Sequence, residues 1–306
     1  MNKLWNSARF IIMNIDEDLN DFIAKPKTKD LDATDLWILS RLNSTIEDVN
    51  SAYDSYKMND AVKIVYDFVY SDFCDWYIEL SKTRFYGTDE RSRKIALNVS
   101  VYCMRTILKL LHPYTPYITE ELWTNFSSPE EDMLISESWP SPQRDAINKD
   151  IESNLELIKK TISSIRNIRA EMNIPMGKEI DIIIKANKDI ETFNKLKPYI
   201  IRLAKIDTVT IDSNAQKPNQ SASIVINNNE IFIPLKGVID IDIEMERLKK
   251  QLDAYNGRLK NVNNKLNNEN FINRAPKEII ENEQKKQSKY QNTIKKIEEN
   301  LKSFLA

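Results

Sequence analysis

Residues 73–86 read FCDWYIELSKTRFY, and four of the last five, Lys82, Arg84, Phe85 and Tyr86, combine two cations with two aromatic rings. Proteins use that pairing to stack unpaired nucleobases while neutralising the phosphates between them. The same residues also close a helical pattern, where last-turn cations merely complement the helix dipole. Both readings stay open on the sequence. The rings just upstream are different. Phe73, Trp76, Tyr77 and Leu80 continue the three-and-four spacing of Ile64, Val65, Phe68 and Val69. That spacing makes them the buried stripe of a helix over 60–86, with Trp76 in the core.

Few other residues offer chemistry. The chain has one histidine, His112, in the stretch LLHPYTPYITEELW, so no motif needing two histidines fits. Pro113 ends the preceding helical pattern, which makes His112 a cap or packing residue. Gly87, Gly177, Gly237 and Gly257 are far apart, so there is no glycine-rich phosphate loop. Cys74 and Cys103 cannot hold a metal alone and read as reduced core residues of a cytoplasmic protein. No apolar run reaches the ~20 residues of a membrane span, and the opening MNKLWNSARFIIMNIDED is no signal peptide. No complete catalytic apparatus is present, which predicts no catalytic, cofactor or metal residues in the chain.

The elements that must position these residues are mainly helical. Four glycines with 29% charged residues, in a chain of 306, favour helix surfaces over sheet surfaces. Leu36, Leu39, Leu42, Ile46, Val49 and Tyr53 mark a helix over 35–56, with Asp35 as a first-turn acid or cap. A further helix spans 91–112. ITEELWTNF gives a short one, in which Thr119 is placed to bond the first amides and Glu120 and Glu121 to complement the dipole. The proline-rich stretch 127–147 reads as a loop closing a helical bundle, residues 1–146. After a helix over 148–173, EIDIIIKA (179–186), a helix at 188–205, TVTI (208–211) and a hairpin over 223–237 turning at Asn227–Asn229 predict a small α/β subdomain, 147–240. Its leading helix carries Arg166 and Arg169, and Arg169 beside Glu171 suits a structural ion pair.

From Ile241 a heptad seam runs through Met245, Leu248, Leu252, Tyr255, Leu259, Val262 and Leu266. NNENFINRAP breaks it, and it resumes at Ile280, Glu283, Gln287, Tyr290, Ile294, Ile297, Leu301 and Phe304. Two seams and a break predict an antiparallel coiled-coil hairpin over 241–306, each helix on the order of 40 Å long. Glu283 and Gln287 are expected to weaken the packing near its tip. Between 256 and 296 there are 10 Lys/Arg against 4 Asp/Glu in a chain of net charge −2, so this is where a polyanion is drawn. Arg258, Lys260, Lys265, Lys285, Lys286 and Lys289 lie off the seam and are candidates; a plain solvated face is the alternative.

Several stretches resemble valyl-tRNA synthetases, class I enzymes, in the right order over nearly the whole chain. KLWNSARFIIMN (3–14), DLWILSRLNSTI (35–46), DFCDWYIELSK (72–82), LLHPYTPYITEELW (110–123) and SWP (138–140) are similar to the family's anticodon-binding bundle and the helix leading into it. IRNIRAEMNIP (165–175) resembles the junction, which implies RNA-backbone contacts by Arg166 and Arg169 as the alternative to an Arg169–Glu171 ion pair, and NNENFINRAPKEIIENEQKK (267–286) resembles the tRNA-binding arm. The family often has a second proline where Met176 follows Pro175, and commonly an Arg where this chain reads Tyr56-Lys57-Met58. The resemblance implies a monomeric tRNA-binding fragment, inactive alone, with tRNA(Val) as partner. It places the catalytic and editing domains, which need ATP and Mg, before residue 1. The single histidine excludes the family's first ATP signature, and no stretch matches its second. An isoleucyl-tRNA synthetase shares similar bundle motifs, and a scaffold dimerising through its coiled coil is the rival from another class. The hairpin ending favours the valine family.

Overall fold

The computed structural model describes residues 2–15, 18–128, 130–175, 177–268, 271 and 276–305. They fall into two compact units, Met1–Lys159 and Lys160–Ala306. In the first, α1 (Asn2–Ile12) and the single turn α2 (Asn20–Ile23) precede α3 (Ala33–Asp54). One continuous helical segment follows in three parts: α4 (Met58–Asp67), a π-helical stretch (Phe68–Tyr77) and α5 (Ile78–Phe85). Helices α6 (Glu90–Leu111) and α7 (Pro116–Trp123) complete the bundle.

The start of α3 shows how sequence fixes an element. The Asp32 carboxylate accepts the Thr34 amide at 2.8 Å, and the Asp35 carboxylate accepts the Asp32 amide at 3.1 Å, a reciprocal capping box. Asp35 is thus a third-position capping acid, and it is fully buried. Leu42, Ile46 and Val49 line the core as the stripe predicts, whereas Leu36 and Leu39 are only half-buried.

The π-helical stretch corrects one expectation. A π turn advances each residue by less than the ~100° of an α-helix. The α-helical stripe that carries Val65, Phe68, Val69 and Phe73 inward therefore stops predicting faces. Tyr77 is fully buried, but Trp76 is half-buried at the rim, with the Lys159 ammonium 5.7 Å from its ring. Trp76 is not a core residue.

The described residues of 127–147, expected to close the bundle, pack on it. Glu131 receives two hydrogen bonds from the Arg105 guanidinium (2.9 and 2.6 Å), and Lys109 reaches Glu137 at 2.6 Å. Trp139 donates to Asn50 at 2.8 Å and meets Tyr53 edge-on, while Asn43 accepts the Gln143 amide at 2.8 Å. The break between units falls instead within α8 (Lys149–Glu171), at Lys159. Its first half is sewn to the bundle. Arg41 and Lys159 both pair with Asp72, at 2.9 and 3.0 Å, and Glu152 accepts from Ser40 at 2.6 Å.

The second unit holds a four-stranded sheet in the order β2-β1-β4-β3, from β1 (Ile180–Lys185), β2 (Ile206–Ile211), β3 (Ser221–Ile226) and β4 (Asn229–Pro234). Helix α9 (Ile190–Ala204) makes the crossover between parallel β1 and β2; the other pairings are antiparallel. Alternation in IDIIIK buries Ile180, Ile182 and Ile184. Asn227 supplies the positive φ of the hairpin turn.

Helices α10 (Ile241–Leu266) and α11 (Lys277–Leu305) form an antiparallel pair. Tyr255 meets Tyr290 with ring centroids 5.8 Å apart, Gln287 donates to Asn263 at 2.7 Å, and Lys265 faces Glu283. As one helix's numbers rise the other's fall, which fixes the direction. Leu248, Val262, Ile297 and Phe304 are buried. Most of the predicted break at 267–276, and Met176, lie outside the described residues.

Candidate nucleic-acid interface

The four bundle candidates separate by burial. Arg84 is interior: its guanidinium donates to Asp35 at 2.6 Å and to the Ser92 hydroxyl and carbonyl at 2.8 Å each. The Tyr77 hydroxyl donates to the other Asp35 oxygen at 2.7 Å. Burial pushes the Asp35 carboxyl up, while Arg84, Tyr77 and the Asp32 amide pull it back. This network ties α3, the π-helical stretch, α5 and α6 together, so Arg84 holds the fold and is closed to RNA. Phe85 is also buried, edge-on to Phe10 at 5.4 Å. Lys82 lies on the rim, paired with Glu79 at 2.5 Å and 5.5 Å from the Phe10 ring. Only Tyr86, 66% exposed, presents an open ring.

The junction pair divides similarly. Arg169 is buried and donates to the carbonyls of Lys205 (3.0 Å), Pro175 (3.0 Å) and Lys178 (2.5 Å), a structural clamp formed in place of the alternative Glu171 pair. Arg166 stays exposed, with Nε on the Leu203 carbonyl at 2.8 Å. On the helical pair, Glu283 binds Lys286 at 2.7 Å and faces Lys265 at 3.8 Å, and the Arg258 guanidinium rests 5.1 Å from the Tyr255 ring centre. Lys260, Lys285 and Lys289 are exposed and have no ion-pair partner among the described residues.

His112 is the C-cap residue of α6, and its Nδ1 lies 2.9 Å from the Thr119 hydroxyl. Thr119 is turned to the carbonyls of Thr115 and Pro116, so α7 begins without the expected side-chain cap. Glu120 instead accepts the Leu134 and Ile135 amides at 3.0 and 2.9 Å. Both cysteines are buried free thiols. Among the described residues no group of three His, Cys, Asp or Glu side chains is placed to hold a metal ion, and no helix is long and apolar enough to cross a membrane.

The surface with the most suitable chemistry was missed in the sequence. Along α4 and into the π-helical stretch, Met58, Val62, Tyr66 and Tyr70 recur every fourth residue on the outer face. Met58 is 49% and Tyr66 52% exposed. The rings of Tyr66 and Tyr70 stack at 4.2 Å with an 18° interplanar angle, and the Lys3 ammonium lies 5.6 Å over Tyr70. Exposed Lys63 lies on the same helix, and exposed Lys57 and Tyr56 precede it, the latter at φ 57°. The stack offers one exposed ring, Tyr66, backed by the half-buried Tyr70, whose neighbour Lys3 is paired with Asp75. Such a ring, with exposed lysines on the same segment, can take a further π-face from a base and a phosphate beside it. The signal was a second i, i+4 stripe on a helix whose other stripe was already assigned to the core.

Comparison with known proteins gives two family matches and a set of relatives. Residues 35–184 match the family model described as the anticodon-binding domain of tRNA ligase, and residues 240–304 match that of the valyl tRNA synthetase tRNA binding arm. The chain is 38% identical over 312 aligned residues to a valine–tRNA ligase of Fusobacterium nucleatum, covering 99% of this chain and 34% of that protein. It is 37% identical over 294 residues to one from Listeria innocua (95% and 33%) and 36% over 304 residues to one from Clostridium tetani (99% and 34%). The chain therefore spans about a third of the length of the curated relatives it matches.

Proposed function

We propose a tRNA-binding role for this chain, which belongs to the valyl-tRNA synthetase family. The stacked Tyr66–Tyr70 row carries the reading, because it holds the Tyr66 ring rigid while leaving it more than half exposed and open to a further stack. In the bundle, this row receives the splayed bases of an anticodon loop, where stacking and hydrogen bonds are available because the bases are unpaired. In the arm, Lys260, Lys285 and Lys289 meet phosphates, which position an RNA without reading its sequence. Lys265, Lys286 and Arg258 are held by Glu283 and Tyr255 and contribute through the local field. The partner we assign is tRNA(Val), bound by a monomer in the cytoplasm. Attachment of valine, with its ATP and Mg, is assigned to the catalytic and editing parts of such a synthetase, which this chain does not span. The arm match disfavours the isoleucine enzyme and the scaffold readings.

The test is a titration of the chain with tRNA(Val) and tRNA(Ile) transcripts, followed by anisotropy. The expected outcome is preference for tRNA(Val) with a steep salt dependence. Tyr66→Ala/Tyr70→Ala should weaken binding by about 1–3 kcal/mol for each base that loses its stack, with no loss of bundle stability. Equal affinity for both tRNAs, or a double variant that binds as well as the unaltered chain, overturns the reading.

A further inference from the structure

We propose that the cleft between residues 21–31 and the first half of α6 is a second RNA-backbone site, separate from the tyrosine row. It rests on the tRNA-binding reading above. Residues 21–31 precede both matched family segments, so neither match assigns them. The cleft is open, encloses about 430 Å³, and has Lys25, Lys27 and Lys94 in its lining.

The walls are fixed rather than loose. The Asn98 side-chain amide donates to the carbonyls of Phe22 and Ala24, both at 2.7 Å, which fastens the lysine-bearing segment to α6. Phe22 and Pro26 are buried and anchor it from below. Lys25 and Lys27 are thus carried by backbone tied to the helix that carries Lys94. The carboxylates in the lining are Asp21 and Asp30, and Asp30 is already paired with Arg91. Lys94 has a partner as well, so the positive balance of the cleft rests on Lys25 and Lys27 against Asp21.

The form of the site selects its ligand class. No exposed ring lines the cleft for a base to stack on, since Phe22 is buried. A small free anion is held best by several converging donors in a closed pocket, whereas here the cations sit on flexible stems around an open trough. That arrangement suits successive phosphates of a polyanion, each met by one ammonium with release of counterions.

The experiment compares Lys25→Gln/Lys27→Gln/Lys94→Gln with Lys188→Gln/Lys195→Gln/Lys217→Gln, an equal charge loss on the sheet-bearing unit. Each variant and the unaltered chain are titrated with tRNA(Val) over a range of KCl concentrations. The cleft variant should show a salt slope shallower by about one per lysine that meets a phosphate; the control should keep its slope. In the unaltered chain, bound tRNA should also protect Lys25 and Lys27 from acylation, a readout that needs no variant. An unchanged slope, the same loss in both variants, or unprotected lysines overturns the cleft site while the tRNA-binding reading stands. If the unaltered chain binds no tRNA, that reading fails first and this site goes with it.

Discussion

The bundle and the helical pair each bury a carboxylate, and they treat it differently. Asp35 in the bundle is surrounded: Arg84, Tyr77 and the Asp32 amide occupy its oxygens, and Arg84 spends its other donors on Ser92. Glu283 in the helical pair is under a tenth exposed, yet its Oε2 has no hydrogen bond among the described residues, and both its lysines are more than half exposed. A core built from several helices can close around a charge on every side. A seam between two helices has open edges. The first arrangement makes the ion pair indispensable to the fold; the second leaves it stabilising little while still distinguishing one helix register from another.

The largest expected effect follows from the closed case. Arg84→Met leaves Asp35 buried without its countercharge, and breaking such a pair costs about 3–5 kcal/mol. Lys82→Met, two residues away on the rim, removes a surface pair worth about 0–1 kcal/mol. All five tryptophans lie in the first unit, so urea unfolding followed by their fluorescence reads the bundle alone. Equal losses for the two variants would erase the contrast between interior and rim.

That contrast also explains what could be read from the sequence. Helices, strands and the antiparallel pair were legible because apolar residues repeat with the period of the element that buries them, as in Leu248 to Leu266. Arg84 and Arg169 were not. A cation near a helix end reads as exposed unless its acceptors are known, and these are supplied by Asp35, Ser92, Lys178 and Lys205, distant in sequence or hidden in backbone carbonyls. Trp76 was misplaced because a helical wheel assumes a constant turn, which the π-helical stretch does not keep. Trp76→Ala should accordingly cost less than the roughly 3–5 kcal/mol of a fully buried aromatic such as Phe73. The tyrosine row was overlooked because one stripe per helix sufficed to explain a core.

A pH titration sharpens the comparison by a smaller amount. The hydrogen bonds from Arg105 hold the Glu131 carboxyl below its ordinary value near 4.5, and the net effect of Ser40, Lys149 and Arg41 does the same for Glu152 against its burial. A carboxyl depressed in the folded state adds stability that is present above its unfolded value and lost as pH falls through its folded one. Asp35, pushed up by burial, has the opposite sign, its contribution lost as pH rises. Bundle stability should therefore decline as pH drops below about 4.5, and Glu131→Gln should flatten that decline. An unchanged acid limb in the Glu131→Gln variant would show that the Arg105 clamp does not govern it.

The smallest effect on stability is expected in the seam, where it is the most informative. Glu283→Leu exchanges a charge for an apolar side chain at a position that the heptad spacing makes apolar elsewhere. Replacement of a buried ionic group by a packed hydrophobe is often neutral or stabilising, and the half-exposed lysines here lose little when released to water. The thermal midpoint of α10 and α11 should stay or rise. What should change is uniqueness: with Glu283 gone, only the Gln287–Asn263 hydrogen bond remains as a polar marker of the described seam, and a heptad slip becomes less costly. The Tyr255–Tyr290 ring contact reports this directly, as one set of inter-ring NOEs in the unaltered chain and more than one set in the variant. A variant that loses stability while keeping a single set would mean that Glu283 holds the two helices together rather than choosing how they align.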